Sequence, residues 1–253
     1  MIPLRPTVAP TEPASSARPF DAVLFDLDGT LTDPELGITA SYRYALAAVG
    51  RPIADDVDIS WVIGPPIGEN LGQFGVSAAE RPVAVRAYRR RHLHVGLYEA
   101  TLVPSIADLV AALDADGVRL ALATGKPTSD GKLTLIHFGL AEHFTVFAGN
   151  TLDGGLTKAD IVATALRELG APDPDRVVMV GDRRHDVEGA AANGVASIGV
   201  RWGFAAAGEL EAAGAGRIVA TVDELSRLLT SAPGGAHLGR GAHQRGARQP
   251  AGI

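Results

Sequence analysis

Cysteine is missing from the 253 residues, which excludes disulfides, thiolate metal sites and a cysteine nucleophile, and fits a reducing compartment. Positive charge is in deficit, with 23 Lys and Arg against 29 Asp and Glu, a formal net charge of −6. Such a chain has no general pull toward nucleic acid or an anionic lipid surface, so neither is expected as a partner. No apolar run reaches the ~18 residues of a membrane-spanning helix. The opening stretch, MIPLRPTVAPTEPASSARP, lacks the apolar core of a secretory signal, and a cytoplasmic location is expected. Zinc spacing is absent around His92, His94, His137, His143 and His185, which read as surface or helix residues.

What is present, 46% hydrophobic and 21% charged residues, suits one large α/β domain or a core domain with a smaller insert. Residues 1–19 and 232–253 are expected to be disordered tails, being rich in Pro, Ala and Ser or in Gly, Arg and His, with little to bury. Between them, short apolar runs predict strands over Ala22–Leu27, Arg119–Thr124, Phe144–Ala148, Arg176–Val180, Ala196–Val200 and Arg217–Ala220. Their near-continuous apolar character suits a parallel sheet covered on both faces. Helices are predicted over Pro104–Asp116, Thr128–Phe138, Lys158–Leu169 capped by Thr157, and Arg184–Asn193; each has a glycine just after its end. The alternation implies an α/β fold with a doubly wound parallel sheet, its core formed by residues 20–33 and 104–231. Residues 34–103 interrupt it with helical segments only, at Gly37–Val49, near Gly68–Phe74, and from Ser77 to about Tyr98 behind a Ser77–Glu80 capping box; they are expected to form a small helical cap. The basic run Arg89–His92 lies on that last helix and reads as a solvated face.

Four polar patches fall at carboxyl ends of predicted strands, where open α/β sheets bind their ligands. They are Asp26-x-Asp28-Gly29-Thr30, then Thr124 in LALATGKP, Lys158 in GGLTKAD, and Gly181-Asp182-x-x-x-Asp186 in VMVGDRRHD. Singly, each has a plain alternative: a turn, a strand-end hydroxyl, a surface lysine or a helix N-cap. Two acids as close as Asp26 and Asp28 disfavour each other's charge unless a cation compensates. A lysine in the first turn of a helix sits at the positive end of the helix dipole, which an anion would relieve. Lys126 reads as a solvated or cap-facing residue.

In this order the patches resemble those of the haloacid dehalogenase superfamily of phosphotransferases, across roughly residues 20–230. The stretches IGPPIGENL, FGLAEHF and GDRRHDVEGAAANGV resemble its phosphoglycolate phosphatase-like and 5′-nucleotidase-like branch with a helical cap in the first insertion site. The resemblance implies Asp26 as the nucleophile that forms an aspartyl-phosphate and Asp28 as general acid and base. It implies Thr124 and Lys158 on the phosphoryl oxygens, with Gly125 beside them. Mg²⁺ is implied at Asp26, the Asp28 carbonyl and Asp182, with Asp186 as a supporting metal-site acid. By the same analogy the loop with Gly64 and Pro65 faces the site and selects the leaving group, approached by Arg43 or Tyr42. The implied reaction is hydrolysis of a small phosphorylated metabolite. Phosphate transfer to a protein, as in a relative described as a protein-tyrosine kinase, and a non-catalytic phosphate-binding module remain alternatives, and a protein partner stays open.

Overall fold

The computed structural model describes residues 18–152 and 154–230, so the expectations for the two ends lie almost wholly outside them. β1 (Ala22–Phe25), β4 (Arg119–Pro127), β5 (Phe144–Asn150), β6 (Val177–Gly181), β7 (Ala196–Val200) and β8 (Arg217–Val219) form one sheet. The order is β5-β4-β1-β6-β7-β8, and every neighbouring pair is parallel. Later strands are thus added to either side of β1, and the order reverses between β1 and β6. A crevice opens beyond the carboxyl ends of strands at such a reversal.

Alternation along β1 sorts its side chains between two layers. Val23 and Phe25 join the cluster that contains Ile106, Leu109, Val110 and Leu113 of α4 (Ile106–Ala115) and Leu225 and Leu229 of α9 (Val222–Thr230). Ala22 and Leu24 join the opposite cluster, with Ile161, Val162 and Ala165 of α6 (Lys158–Glu168) and Ala190 of α7 (Arg184–Ala192). All four β1 side chains are fully buried, which explains an apolar run without polar alternation. The Thr157 cap forms as expected: Thr157 N–H donates to Asp160 Oδ2 at 2.9 Å and Asp160 N–H to Thr157 Oγ1 at 3.2 Å. α5 (Thr128–His137) and a short α8 (Glu209–Ala212) complete this layer system.

Between β2 (Thr32–Asp33) and β3 (Thr101–Leu102) the chain forms a helical insert of α1 (Glu35–Ala48), α2 (Ile67–Gln73) and α3 (Arg81–His94). It has an apolar cluster of its own, including Ile38, Tyr42, Leu46, Val62, Leu71 and Ala84. β2 and β3 pair antiparallel, so the entry and exit of the insert are tied together. Two-residue strands carry no readable periodicity, which is why the sequence does not announce them. α3 also stops earlier than its pattern suggests, at His94, followed by a short turn over Gly96–Glu99. The guanidinium of Arg91 fixes that turn, with two nitrogens donating to Glu99, both at 2.9 Å.

The basic run is therefore not a uniformly solvated face. Arg89 donates to the Leu152 carbonyl, Arg91 is taken by Glu99, and His92 is buried at 4% exposure, stacked on Tyr88 with ring centres 5.2 Å apart. Arg90 alone in the run is exposed. Among the described residues no helix is long and apolar enough to cross a membrane.

Candidate active site

β1 delivers Asp26 into the crevice. The Asp26 N–H continues the ladder by donating to the Val180 carbonyl at 2.9 Å, and the chain then turns tightly, with the N–H groups of Thr30, Leu31 and Thr32 converging on the Leu27 carbonyl. Gly29 adopts φ +85°, and a Cβ there would lie 2.3 Å from Asp182 Oδ2. Only glycine lets the loop take this conformation and rest on the neighbouring carboxylate.

β6 brings the next two acids. Asp182 follows Gly181 at the strand end and is fully buried; its Oδ2 accepts the Phe204 N–H at 2.7 Å and its Oδ1 accepts the Thr30 hydroxyl at 3.4 Å. Asp186 stands in the first turn of α7, where its Oδ2 accepts the Arg183 N–H at 3.0 Å. Asp26, Asp182 and Asp186 each offer an oxygen, and the three lie within 4.8 Å of one another. Lys158, the first residue of α6, sends Nζ between two of them, 2.8 Å from Asp26 Oδ1 and 2.6 Å from Asp186 Oδ1. The anion that a helix-start lysine needs is thus supplied by two carboxylates.

Burial raises the carboxyl of Asp182 well above its usual range, and the charges of Asp186 and Asp26 raise it further. Burial raises Asp186 as well, against the pull of Lys158. Lys158 loses charge stability to burial but gains more from Asp186 and Asp26, and its ammonium is held above its ordinary pKa. Three buried carboxylates against one ammonium leave an excess of negative charge in an all-oxygen donor set. Those donors fit a hard divalent cation.

Asp28 takes a separate position. Its carboxylate is outside that trio and pairs with Lys126, Nζ to Oδ1 at 2.9 Å. Of the two readings of Lys126, solvated or cap-facing, the first fails, since its side chain is 8% exposed. Strand alternation gave no signal for this, because the register of β4 against β5 is irregular between Ala123 and Pro127. Burial raises the carboxyl of Asp28, Lys126 opposes the rise, and Asp26 adds to it. Thr124 is buried, and its Oγ1 accepts the Lys126 N–H at 3.2 Å. Gly125, between them, is exposed with no atom within 4 Å of where a Cβ would stand.

The insert contributes differently from expectation. Arg43 does not approach the crevice with a free guanidinium: it donates to the carbonyls of Ala54, Asp55 and Val57 and so fastens that loop. Tyr42 is buried in the insert, its hydroxyl accepting from Asn70 Nδ2 at 2.9 Å. Gly64 does meet the core, where Arg183 Nη1 would lie 2.5 Å from a Cβ at residue 64; Pro65 follows it, its carbonyl 3.4 Å from Asn70 Nδ2. Tyr88 comes within electrostatic reach of Asp28: burial raises its phenol well above its normal value, and the charges of Tyr42, Asp28 and Asp130 add to that. Arg183 carried no sequence signal of its own, because its side chain acts across the boundary between insert and core.

Residues 23–200 match the family model described as haloacid dehalogenase-like hydrolase. Tyrosine-protein kinase PtkA of Mycobacterium tuberculosis is 41% identical over 210 residues, spanning 82% of this chain and 72% of that protein. A 5′-nucleotidase of Pseudomonas aeruginosa is 39% identical over 194 residues, 76% of this chain and 88% of that one. The crystal structure of a predicted phosphatase from Clostridium acetobutylicum superposes with a TM-score of 0.75 at 38% identity, covering 82% of this chain and 97% of the other. A β1 aspartate at the sheet's reversal point, the acids of β6 and α7, the lysine of α6 and these likenesses agree: the chain belongs to the haloacid dehalogenase-like hydrolase family, among its phosphatases.

Proposed function

We propose that the protein hydrolyses a small phosphomonoester through an aspartyl-phosphate on Asp26, with Mg²⁺ as its cation and the helical insert as a cap over the leaving group. The observation that carries this is the placement of Asp26: its Oδ1 sits against Lys158 within the carboxylate trio, while Asp28, two residues on, stands apart on Lys126. Asp26 is placed for attack beside Lys158, and Asp28, whose carboxyl is raised by burial, is placed to trade a proton.

In the first step a carboxylate oxygen of Asp26 forms a bond to phosphorus as the bond to the ester oxygen breaks, and Asp28 gives that leaving oxygen its proton. In the second, Asp28 takes a proton from water, whose oxygen bonds to phosphorus while the bond to Asp26 breaks; the carboxylate is regenerated and inorganic phosphate leaves. Lys158 and the Thr124 hydroxyl supply positive charge and a hydrogen bond to the phosphoryl oxygens, which gather charge during transfer. Asp26, Asp182 and Asp186, with the Asp28 carbonyl, would hold the cation, which when bound neutralises further phosphoryl charge.

The substrate class favoured is a phosphorylated metabolite of the phosphoglycolate or nucleoside monophosphate type, by likeness to the nucleotidase above and to the phosphoglycolate phosphatase of Salmonella typhimurium, 28% identical over 212 residues. The fold by itself does not favour transfer to a protein tyrosine, since the relative named a tyrosine-protein kinase and the predicted phosphatase above both superpose on this chain. A cytoplasmic site of action accords with the lack of cysteine.

The test is hydrolysis of p-nitrophenyl phosphate with Mg²⁺, with EDTA, and with Asp26→Asn, followed by acid-quench trapping of the phosphoenzyme and a phosphomonoester panel. Turnover that survives Asp26→Asn would remove the covalent mechanism.

A further inference from the structure

Arg183 stands between the two acids of β6 and α7, yet none of the steps above uses its side chain. Its backbone faces the carboxylate trio, the N–H donating to Asp186 Oδ2 at 3.0 Å. Its side chain runs the other way, to the insert, where Nη1 donates to the Ile63 carbonyl at 2.9 Å. One residue thus touches the trio through its backbone and the turn of the insert through its side chain.

The guanidinium is itself fixed. Nε donates to Glu209 Oε1 at 2.9 Å, and the Glu209 carboxylate is anchored by the N–H groups of Arg184 at 2.9 Å and Ala206 at 3.1 Å. Gly64 passes this fork at φ +104°, with a hypothetical Cβ only 2.5 Å from Nη1, an approach that a side chain would block. From the insert's side, Asn70 Nδ2 donates to the carbonyls of Val62 at 2.8 Å and Pro65 at 3.4 Å. Among the described residues the turn thus takes side-chain donors from both sides, Asn70 of the insert and Arg183 of the core, and the core donor is charged.

We infer that Arg183 is a positioning residue that registers the Ile63–Pro66 turn over the carboxylate trio and thereby sets how closely a leaving group is enclosed. The part concerning the leaving group rests on the phosphatase reading; the registration of the turn does not. Glu209 holds the guanidinium in place, and the fork geometry matters as well as the charge, since lysine offers no planar pair of donors.

The experiment compares the full-length protein with Arg183→Gln and Arg183→Lys. Amide hydrogen exchange without substrate should speed up about tenfold or more over residues 62–76 in Arg183→Gln, less in Arg183→Lys, and stay unchanged in β1, β4 and β6. KM for p-nitrophenyl phosphate should rise about tenfold or more in Arg183→Gln with kcat within about threefold, while KM for acetyl phosphate, whose leaving group is small, moves less than about twofold. Unchanged exchange over residues 62–76 would overturn the inference, as would an equal rise in KM for both substrates. If the wild type cleaves neither p-nitrophenyl phosphate nor acetyl phosphate, the phosphatase reading fails, and the exchange comparison still decides whether Arg183 registers the turn.

Discussion

Lys126 Nζ lies 2.9 Å from Asp28 Oδ1, in an ion pair whose side chains are 8% and 18% exposed. The pair couples the acid and base of the proposed reaction to a lysine of the Thr124 patch to which the sequence assigned no catalytic part. Removing the Lys126 charge in Lys126→Met leaves burial, the largest influence, opposed only by the more weakly acting Lys158, so the carboxyl of Asp28 rises further. The limb of the kcat/KM pH profile that reports Asp28 should move to higher pH. A limb that does not move would detach Lys126 from the proton transfer.

Asp28→Asn keeps the shape of the side chain but cannot exchange its proton. Turnover of p-nitrophenyl phosphate should fall by roughly 10² or more, with phosphate affinity largely kept. Steady-state kinetics with phosphate as a competing ligand reads both quantities, and unchanged turnover would exclude Asp28 as acid and base.

His92 makes the fold sensitive to acid. Burial, then the charges of Lys126 and Arg91, lower its pKa from 6.5 to about 3. Between those values the unfolded chain binds a proton that the folded chain does not, so this contribution to stability is complete above about pH 6.5 and is lost as pH falls. From pH 7.5 to 5 the histidine alone should remove about 2 kcal/mol of stability. His92→Phe, which keeps a ring beside Tyr88, should flatten that part of the urea-denaturation profile; an unaltered pH slope would show that His92 is not buried neutral.

Lys158→Met leaves Asp26, Asp182 and Asp186 without their ammonium. Breaking a buried pair in this way costs about 3–5 kcal/mol. Because burial raises the carboxyls of Asp182 and Asp186, protonation should relieve the repulsion, and the loss should be smaller at pH 5.5 than at pH 8. Thermal melts in EDTA at the two pH values check this; equal losses would mean that Lys158 acts by packing alone.

Gly29→Ala tests the contact between the β1 loop and Asp182. The new Cβ would stand 2.3 Å from Asp182 Oδ2 and 2.8 Å from Phe204 Cδ2 in a backbone conformation that costs roughly 1–2 kcal/mol without glycine. The expected result is a weaker rise in melting temperature on adding Mg²⁺, with activity falling alongside it. A full Mg²⁺ response would show that the loop can shift without disturbing the trio.

Much of the core was written locally. A strand buried on both faces needs an uninterrupted apolar run, so Ala22–Phe25 and Val177–Gly181 could be read with no knowledge of their neighbours. Thr157 and Asp160 lie within one helical turn of each other, so their box was legible too. Asp26, Thr124, Lys158, Asp182 and Asp186 were found because each ends an apolar run or begins a helix, positions that sequence marks well, although β4 itself continues to Pro127. Arg43 shows the limit: it sits on α1 in either account, but its reach to Ala54, Asp55 and Val57 depends on a loop whose path has no repeating pattern.

What the sequence determined by itself is which residues stand at the carboxyl ends of the strands, because hydrophobic period and capping chemistry act over a few neighbouring residues. Tertiary structure alone decided that β1 lies between β4 and β6, that Lys126 turns onto Asp28, and that Arg183 bridges core to insert. Those partners are about a hundred residues or more apart along the chain, and a long side chain's direction is set by whichever distant charge or carbonyl packing brings within hydrogen-bond reach.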